Sequence, residues 1–485
     1  MKAKQAILIL VLGAGAVWGC QSLEPVLRST PPTGTADFSV YAAIGNSLTA
    51  GKSDYALYRS VQVHSFPAQL ARAVGTAFVQ PLIEDPGVWD DLTPGVGRLI
   101  VDPSSSTIEI VPELWTAGQP ANQYATHPAP YNNLGVPTAL AADVLQAKGA
   151  STSLSGNEIF DVILRPGFFA GDSLTILEQA LALAPTFVTL WVGNNEILGA
   201  ATQGSGVALV DPTTFQGLLN TIVTAIRSTG AGAAVGNVPD VTASPFFTTI
   251  PYFVINPDTR EPVLGPGGSL IPLIAQEGTG IPPFLGAGDL VLLTAQDSLA
   301  QGMGILDEVL IQLIMQEQGV DSLTAAGILP VAFPKHQQPL PGNLTLSSSE
   351  VSSLGSAVNA YNAAVEAVCQ SAGYPVVDMR SLLNGLAEEP RVVNGVEYGT
   401  EFITGGVFGL DGIHPTALGY SLVANEFIRT INVFYGAAIP EVDDVVPGLL
   451  RYPMLDSYGA GDHFPVAFRF DPRIDWTAVL FGGRP

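Results

Sequence analysis

The stretch Phe187-Val188-Thr189-Leu190-Trp191-Val192 constrains this chain more than any other. It is apolar apart from one threonine and rich in β-branched and aromatic side chains, so it reads as a strand hidden on both faces. Such a strand belongs to a parallel sheet between two helical layers, because parallel neighbours need crossover connections. Phe38 to Ile44 and Ala233 to Pro239 read as further strands, and Pro375 to Met379 as another. Between them lie helical patterns at Phe66 to Val74 (with Pro67 in the first turn), Ser173 to Leu183, Pro212 to Arg227 and Thr416 to Val433. Ser347 and Glu350 have the spacing of a capping box; Val351, Leu354, Val358, Tyr361 and Val365 then mark one face, and Gly373 ends the helix. The alternation predicts an α/β fold, a three-layer α/β/α sandwich around a parallel sheet of five units, which needs on the order of 180 residues. The remainder falls into insertions at about 75–130 and 240–345 and a C-terminal extension at 438–485.

Composition narrows the partners. Hydrophobic residues make up 47% and charged residues 13%, enough for a large core. The net charge of -24, with no basic stripe, excludes a nucleic-acid partner and disfavours adsorption to an anionic lipid surface. The N-terminus reads as an export signal: Lys2 and Lys4 precede an apolar run, Ala6 to Val17, too short to span a bilayer. It ends at Val17-Trp18-Gly19-Cys20, which resembles a bacterial lipobox, with Trp18 where the motif has a smaller residue. That resemblance implies cleavage of residues 1–19 and lipidation of Cys20; a plain signal peptide is the alternative. Gln21 and Ser22, with no Asp after the cysteine, resemble the pattern of lipoproteins sorted to a Gram-negative outer membrane. The expected location is therefore exported and lipid-anchored to a bacterial membrane, with residues 20–36, rich in Pro, Thr and Ser, as a tether. The other cysteine, Cys369, sits in a helical pattern and reads as a small core residue.

The chemistry-bearing residues cluster at strand ends. Ala42-Ala43-Ile44 breaks abruptly into Gly45-Asn46-Ser47-Leu48, leaving Ser47 just past a strand, where reacting groups collect in open α/β sheets. A serine hydroxyl needs a base to take its proton and a carboxylate to hold that base. Asp411-Gly412-Ile413-His414-Pro415 offers both from one turn before a helix. Gly193-Asn194-Asn195-Glu196 follows the buried strand and brings a side-chain amide to the same edge, where an oxyanion would need donors. Taken singly these are weak signals; Gly-x-Ser and Asp-x-x-His are common, and Gly-Asn-Asn alone is a turn.

In this order, the blocks resemble the SGNH, or GDSL-type, serine hydrolases. The family's Gly-Asp-Ser-Leu stands here as Gly45-Asn46-Ser47-Leu48, its Asn-x-Gly as Asn133-Leu134-Gly135, its Gly-x-Asn-Asp as Gly193 to Glu196, and its Asp-x-x-His as Asp411 to His414. The resemblance implies Ser47 as nucleophile, His414 as base then acid, and Asp411 as its orienter, with the N–H groups of Ser47 and Gly135 and the Asn195 amide as oxyanion donors. It implies a hydrolase domain over about 37–437 and an esterase or lipase-like acylhydrolase, with no cofactor, acting on an ester that is lipid-like or an acylated glycan. A carbohydrate O-acetylesterase and a non-catalytic surface scaffold lipoprotein are the alternatives. Two positions depart from the family: Asn46 replaces Asp beside the nucleophile, and Glu196 replaces Asp after the amide. His64, His127, His336 and His463 show no metal-ligand spacing, so no metal is expected. Asp85, Asp90 and Asp91, beside Trp89, read as a solvated loop, and a calcium site there lacks regular ligand spacing. The aromatics of the second insertion, Phe246, Phe247, Tyr252, Phe253 and Phe284, either help form an acyl pocket or simply pack the insertion onto the core.

Overall fold

The computed structural model describes residues 31–442, apart from 103–108, 116–117, 170, 172, 204–208, 257–260, 277–283 and 394–395, together with 469–470. The expected leader, Cys20, most of the tether and most of 438–485 lie outside the described residues.

The central sheet has five parallel strands: β1 (Tyr41–Gly45), β2 (Asn133–Gly135), β3 (Phe187–Trp191), β4 (Gly232–Gly236) and β5 (Val376–Val377). Their order across the sheet is β2-β1-β3-β4-β5. Every residue of β1 and β3 is buried, as continuously apolar runs require. From β1 the chain crosses first to one side, to β2, and then to the other, to β3. That reversal opens a crevice at the C-terminal ends of β1 and β3, where ligands bind in open α/β sheets.

Helices cover the sheet, giving the three-layer α/β/α sandwich. Those used below are α1 (Ser47–Ala50), α2 (Phe66–Val74), α3 (Ala141–Gln146), α4 (Ile176–Ala182), α5 (Asn194–Thr202), α6 (Pro212–Ser228), α7 (Ser348–Ala372), α8 (Met379–Glu388) and α9 (Ala417–Tyr435). Helix α2 packs on α9, where Phe66 stacks on Phe427 at 4.6 Å between ring centroids and meets the edge of Trp191. Helix α6 packs on α7, where Phe215 stacks on Tyr361 at 4.3 Å. Local chemistry fixes the starts. The side chains of Ser347 and Glu350 cap each other's backbone N–H at the head of α7, and Thr175 and Glu178 do the same for α4. Thr416 caps α9, whose last turn closes on Gly436.

The second insertion builds small cores of its own. Ile250, Val254, Leu273 and Leu340 form one, and Leu310, Ile314, Ala325 and Leu329 another. Phe246 and Phe247 are fully buried in the main core, Tyr252 packs against the insertion's own cluster, and Phe284 is exposed. For Phe246, Phe247 and Tyr252, packing is the outcome. Cys369 is fully buried, and that burial pushes its thiol up to about 12. Among the described residues no helix is long and apolar enough to cross a membrane.

Strand β2 is three residues long and is held by its neighbour: Gly45 of β1 stands opposite Gly135 on one side and Trp191 on the other. A Cβ on Gly45 would come within 2.7 Å of the Trp191 carbonyl oxygen and 2.1 Å of Thr49 Oγ1. Thr49 can turn away, but the strand backbone cannot. Gly45→Ala should therefore lower the unfolding free energy by about 1–3 kcal/mol, read as a reduced midpoint in urea or thermal unfolding followed by circular dichroism.

Candidate active site

The break after β1 places Ser47 at the first turn of α1. Asn46 caps that helix, its Oδ1 accepting the Leu48 N–H at 3.1 Å. Asn46 therefore caps as an aspartate would, while its Nδ2 has no partner among the described residues. At the other end of the chain, the turn 409–415 leads into α9 and presents Asp411 and His414 to the same point.

The three side chains meet. Ser47 Oγ lies 2.9 Å from His414 Nε2, and His414 Nδ1 lies 2.9 Å from Asp411 Oδ2. With the proton on Nδ1 donated to Asp411, Nε2 accepts the Ser47 hydroxyl proton. All three residues are buried. Asp411 also accepts the N–H groups of Tyr55 (2.7 Å), Ile413 (2.9 Å) and His414 (2.8 Å). Burial alone would push its carboxyl up; the charge of His414 and these N–H donors outweigh it and hold the group below the usual carboxylate range.

Of the expected donors, Asn195 reaches the site. It starts α5 just beyond β3, borders the cavities on either side of Ser47, and donates one amide N–H to the Ala139 carbonyl at 2.9 Å. Gly135 does not reach it. Its N–H is donated to Asn133 Oδ1 at 3.0 Å, the space for a Cβ is filled by Thr49 and Ala50, and it lines neither cavity. The residue of that segment that does line a cavity is Thr138, which holds a left-handed φ of 64°. A β-branched residue in that region is strained, and such strain collects at functional sites. The sequence gives no sign of this, since threonine disfavours that conformation.

Two cavities flank Ser47 and His414, sharing them with Asn195 and Leu198. One, of about 780 Å³ including its mouth, runs between Trp191, Met379, Leu382 and Leu386 on one side and Val407, Leu422 and Val423 on the other. Its walls come largely from α8 and α9, and among the described residues of the second insertion Val241 and Ser244 line it. The other, of about 650 Å³ including its mouth, carries Lys52, Asp90, Thr138 and Ser155. Asp90 is 1% exposed, which corrects its reading as a solvated loop residue, while Asp85 of the same loop is exposed. Of the remaining histidines, His336 pairs with Asp307 in the insertion (2.8 Å), and His463 lies outside the described residues. Among the described residues no group of three or more His, Cys, Asp or Glu side chains is placed to hold a metal ion.

No family model and no curated protein matches the chain. Among solved structures it is similar to LAE5, an alpha/beta hydrolase enzyme from the metagenome of Lake Arreo, Spain, at 11% identity, with a TM-score of 0.32, over 82% of this chain and 97% of that one. A superposition that loose leaves the chemistry of the site to its own geometry.

Glu196 braces the wall behind Asn195. Its Oε1 accepts the Ala141 N–H at 2.6 Å, and its Oε2 has no partner among the described residues. Complete burial, reinforced by nearby Asp143, raises its carboxyl to about 7 against the pull of the Ala141 N–H. A raised carboxyl stabilises the fold while protonated, so this contribution fades as pH climbs from the ordinary Glu range through 7. Glu196→Gln should remove that slope: relative to wild type, the variant gains on the order of 3 kcal/mol between pH 4 and pH 8, measured by urea unfolding at both pH values.

Proposed function

We propose that this protein is a serine carboxylic-ester hydrolase whose preferred acyl group is longer than acetyl. The observation that carries the reading is the Ser47–His414–Asp411 hydrogen-bond chain, with Ser47 and His414 lining an apolar cleft. In this scheme, His414 Nε2 takes the Ser47 proton as Oγ attacks the ester carbonyl. The tetrahedral intermediate collapses, the acyl–oxygen bond breaks, and His414 returns the proton to the leaving alcohol. Water then adds to the acyl-enzyme by the same route, releasing the acid and restoring Ser47. Asp411 keeps the Nδ1–H tautomer and balances the imidazolium.

The oxyanion donors we assign are the Ser47 N–H, the Asn195 amide and the Thr138 N–H, which takes the place expected of Gly135. The withdrawal of Gly135 into β2 and the strained, cavity-lining backbone of Thr138 support that exchange. The cleft between α8 and α9 is walled by apolar side chains, among them Met379, Leu382, Leu386, Leu422 and Val423. Walls of that kind suit an alkyl chain, which favours an acylhydrolase over an O-acetylesterase. The intact hydrogen-bond chain favours an enzyme over a scaffold. We further propose that the protein is exported and held at a bacterial outer membrane through Cys20, on the strength of the basic, apolar and lipobox-like segments at its N-terminus.

Ser47→Ala should lower kcat toward aryl esters by at least about 10⁴-fold and abolish labelling by a serine-directed fluorophosphonate; unchanged hydrolysis would sink the assignment. Along an aryl-ester series from acetate to decanoate, kcat/KM should rise with chain length. Leu383→Trp, at the half-buried wall of the cleft, should shift that optimum toward short acyl groups. Strict preference for acetate in the wild type would favour the O-acetylesterase.

A further inference from the structure

The second cavity differs in kind from the acyl cleft. Its wall carries a buried ion pair, Lys52 Nζ to Asp90 Oδ2 at 2.5 Å, with both side chains 2% exposed. Lys52 follows the turn after α1. Asp90 is brought in by Trp89, whose indole N–H donates to the Gly97 carbonyl at 2.7 Å and whose ring meets Tyr55 edge-on. Taking such a pair out of water costs more than its attraction returns unless its remaining hydrogen-bonding capacity is filled. Among the described residues no further hydrogen bond fills it, and the Tyr55 ring, 5.1 Å from Lys52 Nζ, adds a cation–π contact alone. Asp90 Oδ1 has no partner among the described residues, and the ammonium of Lys52 makes its one hydrogen bond there to Asp90. The pair thus offers an acceptor beside donors with no net charge. The hydroxyls of Thr138 and Ser155, 3.0 Å apart, line the same cavity.

This pattern selects its occupant. An anionic headgroup would meet Asp90, a cationic one would meet Lys52, and an alkyl group would leave the carboxylate oxygen unpaired. A neutral group with adjacent hydroxyls can donate to Asp90 and accept from Lys52. We propose that this cavity is the alcohol subsite, that it takes the vicinal-diol part of a polyol ester, and that Asp90 Oδ1 and Lys52 Nζ read that diol. The inference rests on the ester-hydrolase reading above. In the acylation step the polyol leaves with its own ester oxygen and the proton returned by His414, so nothing else is consumed.

The test uses three esters of one acid: propyl octanoate, 1-octanoylglycerol and 6-O-octanoylglucose. In the wild type, kcat/KM for at least one polyol ester should exceed that for the propyl ester by about tenfold or more. The glycerol and glucose arms tell whether the diol is that of an acylglycerol or of a sugar. Asp90→Asn, which keeps the volume and a partner for Lys52, should bring the polyol-to-propyl ratio toward one, and so should the uncharged pair Lys52→Met with Asp90→Leu. Each ratio is taken within one protein, so a loss of folded enzyme cancels, and Asp90→Asn decides the matter if the double variant does not fold. A wild-type ratio near one, or a ratio untouched in Asp90→Asn, overturns the subsite while leaving the hydrolase standing. Failure to cleave any of the esters, together with no fluorophosphonate labelling of Ser47, overturns both.

Discussion

The site depends on a clamp between two segments that the chain separates by more than 350 residues. The carboxylate of Asp411 accepts the Tyr55 N–H, and in return the carboxylate of Asp54 accepts the Leu410 N–H at 2.8 Å. The Tyr420 hydroxyl adds a third tie, to the Lys52 carbonyl. These bonds join the turn that follows Ser47 to the turn that carries His414, and the 2.9 Å reach from His414 to Ser47 follows from them. Asp54 and Tyr55 both have positive φ, 45° and 71°, which is costly for residues with a Cβ. That strain is held because it aims one N–H at the Asp411 carboxylate and one carboxylate at the Leu410 N–H.

The same turn also divides the space around Ser47. Toward α8 and α9 the walls are apolar; toward the 85–95 loop they hold the Lys52–Asp90 pair. A bound ester would span the two, with its carbonyl between Asn195 and Ser47. The placement of Lys52 couples these features. Its backbone carbonyl is the acceptor for Tyr420, its side chain is the partner of Asp90, and its position in the chain is five residues from the nucleophile. The alignment of Ser47 with His414 and the polar wall are therefore consequences of a single turn.

What the sequence made legible follows from how local the signal was. Helix α2 runs over the predicted Phe66–Val74, and α7 begins at the predicted capping box and ends at Gly373, because caps and 3.6-residue periodicity are written within a few residues. β3 was equally readable as a continuous apolar run. β2 was not: Asn-Leu-Gly has no β-forming stretch, and it is a strand only because β1 offers an edge on which to pair. The meeting of Ser47, His414 and Asp411 was legible as an ordered set of motifs. The retreat of Gly135 and the arrival of Thr138 were not, since both depend on which N–H the Asn133 side chain takes. Nor was the burial of Asp90, whose partner lies 38 residues earlier in the chain.

The two departures from the resembled family share a physical direction. Asn46 supplies the capping oxygen of an aspartate without its charge. Glu196 keeps a hydrogen bond to the α3 entrance, yet its carboxyl is raised to about 7, so near neutral pH much of it carries no charge. Asp90, another carboxyl beside the site, is paired with Lys52. Acyl transfer of the kind proposed develops negative charge within a few ångströms of Ser47, and a fixed anion there would oppose it. Asp411 is the carboxylate kept ionised in contact with His414, where its charge balances the imidazolium rather than confronting the oxyanion. The substitutions that set this chain apart thus leave the hydrogen bonds of the site in place while thinning the negative charge around its reacting centre.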